Sequence, residues 1–378
     1  MSWGRDTRLF ATAAAGTEGA LKAELRDLGL SGGKAARGGV RVGGGLEAIA
    51  RLCARSRIAV RVLIELDEFA CADERALDRG VGAIAWERWL TPDRTLAVRA
   101  TSRDSRVSHT GFLAQRVKDG IVDRQRRLLG ARSSIDRRDP DVGVVLRLER
   151  DRASVLLDAS GASLHRRGWR AEEGAAPLKE TLAAAVVRLS GWDRERALHD
   201  PLCGAGTIPI EADLWARGVP AQRPERRFGF ERWADHDEDA RARVARERAA
   251  GEARVRADGP ACAGSDEDPE AVRRARANAA RAGSRARFEV ADLTAVALPA
   301  GAHVVANPPY GERLAAADVW PALEVAVARW RAAGHPVSLL LPDDAPALNP
   351  PGAAAPRAHS LFNGALPCRL VTWDDPKG

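Results

Sequence analysis

Two short stretches hold the residues whose types and spacing could do chemistry. Asn307-Pro308-Pro309-Tyr310-Gly311 follows an apolar run. Its two prolines remove backbone freedom. The Asn307 side-chain carbonyl and the Pro308 backbone carbonyl can converge as acceptors on one amine, while the Tyr310 ring can stack on a planar base. An amine held in this way keeps its nitrogen lone pair aimed at an electrophile, so the motif reads as a clamp for a methyl acceptor. Tyr310 is the only tyrosine in the chain, so the tetrapeptide is not compositional background. The bland alternative is a proline-stiffened turn. The second stretch is Asp200-Pro201-Leu202-Cys203-Gly204-Ala205-Gly206-Thr207. Gly204 and Gly206 let backbone pass close to a ligand, and the helix that follows offers free N–H groups. The Asp200 carboxylate can hold a cation such as an ammonium group. Taken alone, this spacing also describes many tight strand-to-helix turns.

Two further acids stand where strands should end. Asp266, in Gly264-Ser265-Asp266, is placed to grip ribose hydroxyls, because an ionised carboxylate accepts from both. Asp292, in Val290-Ala291-Asp292-Leu293, could accept from an exocyclic amine. Each by itself also reads as a helix cap, and Asp268-Pro269 is such a cap. Three acidic strand ends in succession point to one crevice.

The elements that must position these residues follow an α/β grammar from about residue 175 onward. The pattern predicts helices over 178–190, 207–217, 269–282 and 320–332, and strands over 197–200, 261–265, 286–290, 303–306 and 337–341. An interruption at 218–259, dense in Arg, Glu and Trp, reads as an inserted helix. Before this region, strands over 9–13 and 58–66 with helices from Thr17 and over 46–54 make a small α+β module. A second module has a helix over 76–84, a strand through Leu96, Val98 and Ala100, a basic helix, and strands over 142–148 and 153–159. The expected boundaries are 1–68, 69–163 and 164–378.

Length and composition agree with two or three such units: 378 residues, 45% hydrophobic and 29% charged, with no apolar run of the roughly 18 residues a membrane span needs. The opening MSWGRDTRLF lacks the apolar stretch of a secretory signal, so a cytoplasmic protein is expected. Cys53, Cys71, Cys203, Cys262 and Cys368 form no CxxC pair and the histidines show no HxxxH spacing, so no metal is expected. Charge is localised. Residues 99–138 hold eleven Lys/Arg against four Asp/Glu, an excess of seven that equals the formal net charge of +7. In the basic helix Leu113, Val117, Ile121 and Leu128 can face inward while Arg116, Lys118, Arg124, Arg126 and Arg127 face out. Arg103 and Arg106 lie in the loop before it. A cationic face of this kind fits a polyanion. The alternative is a solvated helix face.

Together the NPPY turn and the DPLCGAGT loop resemble class I S-adenosylmethionine-dependent methyltransferases that act on exocyclic or amide nitrogens. More narrowly, Leu164 to Arg170 (LHRRGWR), residues 177–185 (PLKETLAAA) and residues 307–313 (NPPYGER) resemble the THUMP-containing RNA guanine-N2 methyltransferases. The branch acting on large-subunit (23S) rRNA is nearest, through residues 227–237 (RFGFERWADHD) as well. The resemblance implies a Rossmann-like methyltransferase domain preceded by a ferredoxin-like and THUMP RNA-binding region. It implies S-adenosyl-L-methionine as cofactor, with S-adenosyl-L-homocysteine as product. By motif, Asp200, Pro201, Cys203, Gly204 and Gly206 match the cofactor loop, Asp266 and Asp292 the ribose and adenine contacts, and Asn307, Pro308, Pro309 and Tyr310 the catalytic turn, with Asn307 also counted among the cofactor contacts. Thr181 would border the cofactor. Trp169 stands where relatives often have tyrosine, and Ala205 where serine is common. Some relatives carry a second, fused methyltransferase, and a chain ending at Gly378 leads to the expectation of a single activity. The implied partner is RNA, as rRNA or a ribosome-assembly intermediate, with no membrane and no obligate protein partner. The rivals are a tRNA guanine-N2 methyltransferase, an N6-adenine DNA methyltransferase, a glutamine-amide methyltransferase and a non-catalytic RNA-binding assembly factor.

Overall fold

The computed structural model describes residues 3–4, 6–170, 178–309, 319–348, 350 and 355–374. The chain groups into two compact units, one of residues 1–12, 25–164 and 222–249 and one of residues 13–24, 165–221 and 250–378.

Along the first half of the chain run β1 (Arg8–Thr12), α1 (Glu18–Asp27), β2 (Lys34–Ala36), β3 (Gly39–Gly43), α2 (Leu46–Arg55), β4 (Arg61–Ala70), α3 (Glu74–Ala83), β5 (Thr95–Arg103), α4 (Thr110–Leu129), β6 (Ser134–Ile135), β7 (Val142–Glu149) and β8 (Arg152–Asp158). The strands form one eight-stranded sheet in the order β2-β3-β1-β4-β8-β7-β5-β6, so the two expected N-terminal modules share a continuous sheet through β4 and β8. Alternate residues point to opposite faces of a strand. Leu9, Val40, Val42, Val62, Ile64, Val144, Leu146, Val155 and Leu157 therefore bury on one face, where α2 and α3 pack near β4 and α4 near β5 and β7.

The second half continues with α5 (Glu180–Leu189), β9 (Leu198–Asp200), α6 (Thr207–Ala216), α7 (Glu238–Glu252), β10 (Cys262–Asp266), α8 (Pro269–Ala282), β11 (Arg287–Val290), β12 (His303–Ala306), α9 (Val319–Ala332), β13 (Val337–Pro342), β14 (Arg357–Asn363) and β15 (Leu366–Trp373). Its sheet order is β11-β10-β9-β12-β13-β15-β14, parallel from β11 to β13 and antiparallel at β15 and β14. Both faces are covered, as a parallel sheet requires. Val305 and Leu340 join Leu182, Val186 and Ile208 on one side, and their neighbours Val304, Leu339 and Leu341 join Leu323, Val327 and Trp330 on the other. Strand order reverses about β9, with β10 and β11 to one side and β12 and β13 to the other, which opens a crevice at the carboxyl ends of the strands.

The inserted helix expected within 218–259 is α7, and residues 222–249 cluster with the first unit. There Glu247 accepts two hydrogen bonds from Arg51, at 3.0 and 2.6 Å. The β14–β15 hairpin has no counterpart among the elements expected from sequence. No helix among the described residues is long and apolar enough to cross a membrane.

Candidate active site

Asp200 closes β9 with its side chain 2% exposed, and its Oδ1 accepts from the Leu202 backbone N–H at 3.1 Å. Burial, with the nearby charge of Asp266 acting in the same direction, pushes the carboxyl up to about 8. The loop after it folds back onto β10: the Cys203 N–H donates to the Ser265 carbonyl at 2.9 Å and the Gly204 N–H to Asp266 Oδ2 at 2.9 Å. Asp266 Oδ1 in turn accepts from the Asp268 N–H at 3.0 Å. Asn278 of α8 pins the same loop by donating to the Ala205 carbonyl at 3.0 Å. The Gly204 backbone has φ +52°, and a Cβ there would meet nothing within 4 Å, which leaves room for a ligand.

A cavity of about 730 Å³ opens at this end of the sheet. It is lined by Asp200, Pro201, Cys203, Gly204, Asp266, Asp292, Asn307 and Pro309, together with Leu178 and Thr207. Four separate strand ends thus contribute to one space. Asp292 is exposed there, and its Oδ1 accepts the Thr294 backbone N–H at 2.6 Å and the Thr294 hydroxyl. Those two donors hold its carboxyl below the usual range.

Asn307, directly after β12, is half-buried, and its Oδ1 is enclosed without a hydrogen-bond partner among the described residues. A buried acceptor left unpaired costs about 1–3 kcal/mol and calls for a reason. Its position on the cavity wall supplies one, since a donor brought by a ligand would satisfy it.

Three expected residues do not line this cavity. Thr181 is buried on α5 and Pro308 is buried directly after Asn307 in the chain. Gly206, at φ +80°, is needed for packing and not for ligand approach: a Cβ there would stand 2.8 Å from the Phe288 ring and 3.0 Å from Ala275. Tyr310 lies outside the described residues.

Sequence reasoning assigns no role to several buried polar groups beneath the site. Arg167 and Glu211, each with its side chain 1% exposed, pair at 3.3 Å. Arg170 pairs with Glu180 at 3.2 Å and donates to the Leu178 carbonyl at 3.1 Å. Both arginines belong to the LHRRGWR stretch, whose basic character is the one signal that could have pointed to them. Behind the carboxylates, His199 Nε2 meets Ser265 Oγ at 3.1 Å across β9 and β10, and burial pushes its imidazole down to about 4. The ring is therefore neutral at pH 7.

On the first unit, the expected cationic face of α4 is partly spent. Arg124 does not face solvent as expected: it donates to both Glu87 oxygens at 2.9 and 2.8 Å and to the Gly82 carbonyl at 2.9 Å. Arg116 pairs with Asp78, and Lys118 with Asp119 at 2.6 Å. Arg126 and Arg127 are exposed, Arg126 lying 3.5 Å from Asp123. Arg103 and Arg106 are exposed beside Asp104 and Asp151, at 3.2 and 3.4 Å. Among the described residues no group of His, Cys, Asp or Glu is arranged to hold a metal ion.

Comparison with known proteins adds three domain matches: an RlmL ferredoxin-like domain over residues 8–63, a THUMP domain over 71–158, and an RMKL-like methyltransferase domain over 167–332. Among curated proteins the chain is similar to the ribosomal RNA large subunit methyltransferase K/L of Syntrophotalea carbinolica, with 41% identity over 97% of this chain and 53% of that one. It is equally similar to the protein of the same name from Methylococcus capsulatus, with 41% identity over 97% of this chain and 51% of that one. The chain thus spans about half the length of the curated relatives it matches. Among solved structures, SMU.472, a candidate methyltransferase complexed with SAH, matches at 30% identity and a TM-score of 0.85 over 98% of both chains. A protein of Listeria monocytogenes named as a predicted N6-adenine-specific DNA methylase matches at 29% identity and a TM-score of 0.86, over 100% of this chain and 97% of that one.

Proposed function

The chain belongs to the THUMP-containing class I methyltransferases, and from that premise we propose that it transfers a methyl group from S-adenosylmethionine to the exocyclic N2 of a guanosine in large-subunit (23S) rRNA. The observation that carries this reading is the Asn307 Oδ1, unpartnered among the described residues, on the wall of the cavity that Asp200 and Asp266 also line.

The residues present fit the cofactor. Buried Asp200 suits a cationic ammonium group, Asp266 suits ribose hydroxyls, and the open space at Gly204 admits a ligand against the backbone. Asp292 stands ready for an exocyclic amine. When bound, S-adenosylmethionine supplies an electrophilic methyl on a sulfonium and leaves as S-adenosylhomocysteine. The protein's part is positioning and electrostatics. Asn307 Oδ1 would accept an N–H of the target amine, so that the N2 lone pair would stay directed at the methyl donor. Positive charge developing on N2 during methylation would be stabilised by the same Asn307 acceptor. No covalent enzyme intermediate is needed. The guanosine must leave its stack to reach the turn, as base-modifying enzymes require. On this reading the partner is rRNA or an assembling particle in the cytoplasm, and phosphate contacts from Arg103, Arg106, Arg126 and Arg127 contribute to holding it.

The likeness to the Listeria protein supports a second reading, adenine N6, because an acceptor such as Asn307 Oδ1 holds any exocyclic amine. The test of the carrying observation is Asn307→Ala. Single-turnover methylation should fall by about 100-fold or more, the range seen when one transition-state hydrogen-bonding group is removed, while the dissociation constant for S-adenosylhomocysteine stays within about threefold. Retained turnover would remove the clamp.

A further inference from the structure

The eight-stranded sheet has one face packed by helices and a second whose residues follow from the register. Lys34 pairs with Arg41, Arg41 with Phe10 and Phe10 with Leu63, while Arg99 pairs with Val145 and Thr101 with Arg147, so all of these share that second face. Most cations on it are matched by acids. Arg8 meets Glu65 at 3.0 Å, Arg61 and Arg99 share Asp158, Arg103 is 3.8 Å from Glu149, and Arg152 meets Glu68 at 2.8 Å.

Lys34, Arg41 and Arg147 are the exception: among the described residues none of the three has a carboxylate within 4 Å. Lys34 and Arg41 sit directly opposite each other on β2 and β3, an arrangement that is unfavourable for like charges unless something anionic relieves it. Arg147 reaches from β7 to place its guanidinium 4.3 Å from the centre of the Phe10 ring, with Arg41 at 6.0 Å from the same ring. Its Nη2 donates to the Arg37 carbonyl at 3.4 Å, so the charge is held in place. Burial and the Arg41 charge both act against the Arg147 cation, with Glu149 and Glu65 opposing them only at longer range. Lys34, Arg37 and Arg41 are exposed. Phe10 is 3% exposed beneath the two guanidiniums, so the patch offers charge and N–H donors and no free ring for a base.

We propose that this corner of the sheet binds the phosphate backbone of the RNA substrate. The inference deepens the proposed function and takes from it only that the substrate is RNA. Cations spread over three strands suit successive phosphates along a chain, and two planar guanidiniums can each bond a phosphate through paired N–H groups. Such binding carries no sequence information and serves to hold the RNA in register while a distant guanosine is presented.

The test measures binding of a fluorescent oligouridylate and of an RNA hairpin to the full chain over a salt series. The double variant Arg41→Gln with Arg147→Gln should bind both RNAs about tenfold or more weakly at low salt. Its plot of log K against log salt should be shallower by about 0.7–0.9 for each phosphate that is no longer neutralised. Arg147→Lys should recover part of the slope, since it restores the charge. Affinity for S-adenosylhomocysteine and the melting temperature should not change; if the double variant fails this check, Lys34→Gln on the exposed edge strand replaces it with the same expectation. An unchanged slope overturns the proposal. So does competition by inorganic phosphate alone at concentrations that leave the rest of the RNA interface intact, which would mark a free-anion site. An RNA that binds with the expected slope but gains no methylated nucleoside would sink the methyl-transfer reading and leave this surface standing.

Discussion

At the scale of single residues, Asn307 and Asp200 occupy opposite electrostatic situations in one cavity. Asn307 carries an acceptor that nothing in the described structure satisfies, whereas Asp200 is buried deeply enough to hold a proton. The sign of the second effect is checkable. The folded carboxyl titrates at about 8, above its ordinary 3.8, so in the ligand-free protein its contribution to stability is complete below pH 4 and is lost as pH rises toward 8. Asp200→Asn should therefore flatten the fall of the melting temperature between pH 5 and pH 8, and an equally steep fall in the variant would contradict the assignment. A ligand ammonium would favour the ionised form, so binding of S-adenosylhomocysteine near pH 7 should release up to about one proton. Calorimetry in buffers of different ionisation enthalpy reads that release, and a buffer-independent heat would count against Asp200 as the ammonium partner. The types of both residues and their places at strand ends were legible in the sequence. Burial was not, because it depends on Asp200 lying between two strands that follow it much later in the chain.

At the scale of elements, what could be read were the short apolar runs ended by an acid or asparagine, since a fully buried parallel strand leaves that trace. The β12 strand and the helix α8 fall on the very residues expected, and the Asp268 side chain caps α8 by accepting from the Glu270 N–H. Where the pattern is weak, the reading fails. The β14 strand buries only Leu361 and exposes Arg357, Ala358, His359, Ser360 and Phe362, so no alternation marks it. Arg124 departs from expectation for a different reason: its acid partner Glu87 lies 37 residues away, and helical periodicity carries no information about a distant carboxylate. Two consequences can be measured. Arg124→Gln should lower the melting temperature by a few degrees and leave the salt dependence of RNA binding in place, while Arg126→Gln with Arg127→Gln should do the reverse. Gly206→Ala, strained at positive φ and crowded by Phe288, should cost about 1–3 kcal/mol in unfolding free energy.

At the scale of the whole molecule, the chain pairs a doubly wound sheet whose switch point is lined by acids and one unsatisfied amide with a unit of ferredoxin-like and THUMP sequence. On the proposed reading the first would receive a cationic cofactor and the amine to be methylated. The second supplies exposed cations on α4 and on the open sheet face. An acid-lined cavity would suit a cationic methyl donor and exposed cations would suit a polyanion, as the proposed function requires. The identity of the methylated product separates the proposed function from its rivals most directly. The decisive measurement is mass mapping of methylated nucleosides after the purified chain is incubated with labelled S-adenosylmethionine and, in parallel, with large-subunit rRNA, tRNA and DNA. The prediction is N2-methylguanosine at a discrete site in the rRNA and its loss with Asn307→Ala; N6-methyladenine in DNA, or label in no nucleoside at all, would contradict it.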